Sequence, residues 1–267
     1  MAVLARRVVS LLNKRVILVF GMSRSGTSML SKFLSLSPST VSMHEPEVEL
    51  MKQRFGRKRF FTQQAFWDFV HSEDQKEFKV HSLVCIAFLA ALKAPAHVKT
   101  IILKPIALLD VLKEASVAFP NASIVYISRH PAGRSESILR QLKHDQNIEA
   151  ISIEALELIG QDWGRTNSRV QKLFESHPDW RWVFFEKLTN DPVSEFRGLY
   201  EQFGLQWTET IQSEIEKNTT GMDGGYYAIK RDSRSQADKW RKSLTGEQVE
   251  AIRKGCLPFE THLYETF

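Results

Sequence analysis

Residues 16–36, VILVFGMSRSGTSMLSKFLSL, leave this chain few choices of fold. Val16–Phe20 is an uninterrupted apolar run with β-branched Val and Ile, which reads as a strand buried on both faces, as in a parallel sheet. Met29, Leu30, Phe33 and Leu34 then recur at helical spacing. Between them lies a polar loop, Gly21–Ser28, bounded by glycines. A strand, such a loop and a helix together aim free backbone N–H groups and a helix N-terminus at an anion. Against the nucleoside-triphosphate loop G-x-x-x-x-G-K-[ST], Gly21, Gly26 and Ser28 match, but Thr27 stands at the lysine position. The cation comes earlier, at Arg24. The stretch is a phosphate cradle equipped for something other than ATP.

The rest of the chain alternates strand and helix patterns. Short apolar runs at Thr40–Met43, Thr100–Leu103, Ser123–Ile127 and Trp182–Phe185 read as strands. Helical patterns follow at 80–93, 108–118, from Pro131, through Leu156–Phe174 and from Pro192, and a Thr245…Gln248 capping box opens a terminal helix. Residues 186–192 read as a turn and 218–243 as a long loop rich in glycine and charge. This alternation predicts a single P-loop-like α/β domain over residues 1–267, with a central parallel sheet flanked by helices on both faces. Ligands should then bind beyond the C-terminal ends of the strands. Four polar segments end strands there: the Gly21–Ser28 loop, His44-Glu45, Lys104-Pro105 and Arg129-His130.

Two segments have the character of lids or substrate-binding segments, 51–79 and 218–243. The first interleaves Arg54, Arg57, Lys58 and Arg59 with Phe55, Phe60, Phe61, Phe66, Trp67 and Phe69, which suits either a binding cleft or an amphipathic helix pair. Leu83–Leu92 is apolar but 10 residues long, too short to span a bilayer and suited to a buried helix with Cys85 in the core. A net charge of +5 suits an anionic small ligand but is too small an excess to argue for nucleic acid. Cys85 and Cys256 make neither a disulfide framework nor a metal site. The sequence thus leads us to expect a soluble, cytoplasmic protein without a membrane span.

Two motifs carry a family resemblance. Ser23-Arg24-Ser25-Gly26-Thr27-Ser28 resembles the 5′-phosphosulfate loop of sulfotransferases that use 3′-phosphoadenosine 5′-phosphosulfate (PAPS). Ile124–Pro131 through Ser137 resembles that family's 3′-phosphate site, in which an Arg at a strand end and a Ser eight residues later hold the phosphate; here they are Arg129 and Ser137. Phe185-Glu186-Lys187-Leu188 with Asp191-Pro192 is similar to a Tyr-Glu-Asp-Leu…Asp-Pro stretch, Lys187 departing from the usual Asp. Lys239–Leu244 resembles the segment that covers the cofactor, which adds Arg241 and Lys242 to the cofactor-binding set of Arg24, Ser25, Gly26, Thr27, Ser28, Arg129 and Ser137. The resemblance implies PAPS as co-substrate, 3′,5′-adenosine bisphosphate (PAP) as product, no metal, and a small-molecule or carbohydrate acceptor.

The chemistry asks for the same residues. PAPS is anionic at two ends, and arginine offers a planar fork suited to phosphate. Charge grows on the bridging oxygen of the departing phosphate, where a fixed cation lowers the barrier, a role for Arg24. Members acting on phenols and steroids place a His where Ile106 stands here. Carbohydrate-type and many bacterial relatives instead use a Glu shortly after the first helix, which implies Glu45 as general base, with His44 in reserve and Lys104 beside the sulfuryl group. Two other classes fit less of the pattern: a kinase using Mg-ATP, opposed by Thr27, and a non-catalytic module binding a nucleotide or other anion.

Overall fold

The computed structural model describes residues 14–45, 76–105, 109, 112–220, 233–259, 261, 263 and 264. It has an α/β fold with a five-stranded parallel sheet. The strands are β1 (Arg15–Gly21), β2 (Thr40–His44), β3 (Thr100–Lys104), β4 (Ser123–Ser128) and β5 (Arg181–Phe184), in the order β2-β3-β1-β4-β5. The described residues group into two compact units.

The first unit takes the described residues within 1–21, 27–126 and 198–208. In it β3 pairs in parallel with β1 and with β2, Arg15 facing Thr100 and His44 facing Lys104. Residues 16–21 and all of β3 are buried, which is why these runs are apolar without alternation. Helix α1 (Thr27–Leu34) turns Leu30, Phe33 and Leu34 inward. Its last turn is tied down from far along the chain, where the Tyr200 hydroxyl donates to Phe33 O at 2.6 Å. Burial pushes that phenol well above its ordinary pKa, so it serves as a neutral donor.

Helix α2 (Lys76–Lys93) corrects one expectation. It buries Leu83, Val84, Ile86, Ala87, Ala90 and Ala91, but Cys85 is exposed and Leu92 is 61% exposed. An apolar run of this length covers the whole circumference of a helix, while the packing buries only part of it. Helix α3 (Leu112–Ala118) agrees with the expected pattern over the residues described.

The second unit takes the described residues within 22–26, 127–197 and 209–267. Pro131 occupies the first position of α4 (Pro131–Gln146), and the His130 side chain caps it by accepting from Ala132 N at 3.2 Å. Helix α5 (Ile153–Glu175) starts at its Ser152 cap. Downstream, the expected turn at 186–190 is instead a short helix, α6 (Phe185–Asn190), followed by α7 (Pro192–Gln202). Phe185 leaves the strand because its ring packs elsewhere: an added Cβ on Gly26 would lie 2.5 Å from it.

The expected loop at 218–243 is helical at both ends, where α8 (Glu209–Thr220), α9 (Ser233–Ala237) and α10 (Trp240–Ser243) lie. Residues 221–232, and 51–75 of the other proposed lid, fall outside the described residues. Helix α11 (Gly246–Cys256) begins with the expected capping box, Thr245 and Gln248 bonding each other's backbone. It packs on α5 at very short range, and Leu156, Trp240, Ala251, Ile252 and Ala132 form the core there.

Candidate active site

In the first unit three parallel strands end together, and two of the expected residues meet there. The β2–β3 register sets His44 opposite Lys104, and Glu45 N–H extends the ladder by donating to Lys104 O at 2.9 Å. Glu45 then breaks away with φ 46°, a left-handed conformation that costs a non-glycine residue on the order of 1–2 kcal/mol. That turn brings its carboxylate back to Lys104 Nζ at 2.5 Å. Lys104 is only 2% exposed, and its ammonium also reaches Ser28 Oγ at 3.3 Å. A buried cation is costly unless paired, and here the carboxylate supplies the pairing. His44 Nδ1 lies 3.4 Å from Ser31 Oγ. Desolvation first, and then the Lys104 ammonium, hold its pKa below the ordinary histidine value, so at neutral pH the ring is uncharged.

The second unit holds the arginines. Arg24 has φ 69°, and Gly26 has φ 97°, a conformation L residues avoid. The folded loop brings Arg24 Nε to Ser137 Oγ at 3.0 Å. Arg129, 4% exposed, donates through Nη1 to Arg24 O (3.3 Å) and through Nη2 to Gln236 O (2.8 Å), and lies 4.3 Å over the Phe185 ring. Among the described residues its buried Nε has no hydrogen-bond partner. Burial lowers the pKa of this guanidinium to about 10, opposed mainly by the Glu186 and Glu136 carboxylates, so it stays charged at neutral pH. An arginine buried with one donor unmet fits an incoming anion.

Other expected residues are placed more loosely. Ser25 and Thr27 are buried in their own units, while Ser28 is exposed. Arg241 engages Asp238 at 3.1 Å and the Trp240 face at 4.3 Å, and Lys242 is exposed. Neither contact of Arg241 involves Arg129 or Ser137. The sequence reading missed Arg134, which is 7% exposed and bonds Ser23 O (3.1 Å) and Asp162 (3.2 Å). Its one signal was a cation in the first turn of α4, beside the Arg129 motif. The reading also missed any role for Glu186, whose carboxylate accepts from His130 N. Among the described residues no cluster of three or more His, Cys, Asp or Glu could hold a metal ion, and no helix is long and apolar enough to cross a membrane.

The model of the Sulfotransferase family matches residues 16–209. Carbohydrate sulfotransferase 3 of Homo sapiens is 30% identical over 78 residues, a stretch covering 28% of this chain and only 16% of that protein. Sulfotransferase STF9 from Mycobacterium avium superposes with a TM-score of 0.59 at 15% identity, covering 97% of this chain and 80% of that one. Mouse sulfotransferase SULT7A1, solved with PAP, gives 0.52 at 12% identity, covering 93% of this chain and 87% of its own. At these identities the two structures are similar to this one in fold.

Proposed function

Since this chain belongs to the sulfotransferase family, we propose that it moves the sulfuryl group of PAPS to a hydroxyl of a small-molecule or sugar acceptor and releases PAP. The observation that carries this reading is the contact of Arg24 Nε with Ser137 Oγ at 3.0 Å, across 113 positions of sequence. It sets the cation of the first motif beside the hydroxyl of the second, within reach of one ligand that is anionic at both ends. In this reading Ser25, Gly26, Thr27 and Ser28 cradle the 5′-phosphosulfate, and Arg129 with Ser137 holds the 3′-phosphate, the unmet Nε of Arg129 being a free donor for it.

Glu45 takes the acceptor's proton as the acceptor oxygen bonds to sulfur. The bond from sulfur to the bridging oxygen of the 5′-phosphate breaks, and Arg24 stabilises the electron pair left on that oxygen. Lys104 holds the Glu45 carboxylate and stands ready for the sulfuryl oxygens, while uncharged His44 is the second candidate base. Arg241 and Lys242 remain proposed contacts of the cofactor. Residues 1–267 act as one functional domain in the cytoplasm, the segments 51–79 and 218–243 shaping the acceptor site.

Thermal unfolding with ligands tests the proposal, because a ligand that binds only the native state raises the midpoint. PAP without metal should raise it by several degrees. A rise with Mg-ATP and none with PAP would sink the sulfotransferase reading in favour of a kinase.

A further inference from the structure

The peptide unit between Arg129 and His130 is gripped from both sides. Its carbonyl, Arg129 O, accepts from Trp163 Nε1 at 2.9 Å. Its N–H, on His130, donates to Glu186 Oε1 at 2.9 Å. The second Glu186 oxygen, Oε2, accepts from the Tyr264 hydroxyl at 2.8 Å. Fixing both ends of one peptide plane fixes the two soft dihedrals beside it, ψ of residue 129 and φ of residue 130. Those two angles decide where the strand ends and from where the Arg129 side chain departs.

The same short helix that carries Glu186 also supplies the Phe185 ring under the Arg129 guanidinium, 4.3 Å away. A carboxylate in this position is costly. Glu186 is partly buried, and burial, the largest influence on it, raises its pKa above the ordinary value. The chain keeps a group here that an apolar residue would replace more cheaply unless its oxygen were needed.

We propose that Glu186 is a positioning residue for recognition of the 3′-phosphate, acting through the 129–130 peptide to hold Arg129 in its binding pose. It does not touch the ligand. Tyr264 fixes the carboxylate's rotamer, and Trp163 completes the clamp from the carbonyl side. The inference rests on the PAPS reading above, and its test separates the two.

The test is the ratio of dissociation constants for 5′-AMP and PAP, which differ by the 3′-phosphate alone. Wild type should prefer PAP strongly. Glu186→Met, whose thioether is at best a weak hydrogen-bond acceptor, should lower that ratio at least tenfold while leaving the 5′-AMP affinity unchanged. Glu186→Gln keeps an acceptor oxygen and should restore the ratio to within about threefold of wild type. In an Arg129→Ala background, Glu186→Met should have no further effect on the ratio. Trp163→Phe, which frees the other end of the same peptide, should lower the ratio as well and serves if Glu186→Met does not fold. An unchanged ratio in the folded variants, or equal weakening of both nucleotides, would overturn the inference and leave the sulfotransferase reading standing. A wild type with no preference for PAP would overturn that reading and this inference with it.

Discussion

Arg24 and Glu45 are two of the described non-glycine residues with positive φ, at 69° and 46°. Backbone of this kind persists where the surroundings over-determine it, and such positions gather at functional sites. Their conformation lets each side chain turn back, Arg24 onto Ser137 and Glu45 onto Lys104. Replacing Arg24 with Asn separates the charge from the backbone, since Asn tolerates the left-handed region. We expect Arg24→Asn to keep its unfolding midpoint within a degree or two of wild type and to lose about 100-fold or more in turnover. A loss of fold instead would place the residue's value in structure. Glu45→Gln should retain PAP binding and lose about 100- to 10,000-fold in kcat, measured as sulfate transfer from PAPS. Turnover near wild type would move the role of base to His44. At this scale motif spacing pointed to Arg24, Arg129 and Ser137, and the structure sets Arg24 beside both of the others. The sequence assigned no role to Arg134 or Glu186, because their partners, Ser23 O, Asp162 and His130 N, are set by packing rather than by neighbours in the chain.

The helix pair α5 and α11 shows what elements can and cannot announce. Apolar spacing and a capping box foretold both helices, yet nothing foretold how closely they approach. Gly160 faces Ile252 O and Gly255 faces Glu157 O, where added Cβ atoms would lie 2.3 and 2.1 Å from those carbonyls. Gly255→Ala must push backbone away from backbone. We expect it to destabilise the protein by about 1–3 kcal/mol, read as a lower denaturant midpoint with an unchanged slope. A neutral result would mean that α11 shifts freely on α5. The strands were legible because runs buried on both faces lack alternation. The short helix α6 was not, since its six residues carry no repeat and Phe185 turns on a contact with Gly26 from far upstream.

For the whole molecule, buried charge is the main lever by which pH acts on stability. Glu186 has its folded-state pKa raised, so its favourable contribution is complete below the unfolded carboxylate value and is lost as pH rises through the folded one. Glu186→Gln removes that titration. Its unfolding midpoint relative to wild type should therefore improve as pH rises above the unfolded carboxylate value and level off once pH passes the folded one, followed by calorimetry at a series of pH values. A difference that stays flat with pH would show that the carboxylate is better solvated than its surroundings indicate. The two cysteines carry a consequence for experiment. Cys85 is exposed on α2, whereas Cys256 is buried against Gly160 O, its thiol pushed up to about 12 by burial. A thiol-directed dye thus finds one address in the native protein and a second only after unfolding, so the natural chain already carries a single-site reporter label and its own unfolding clock.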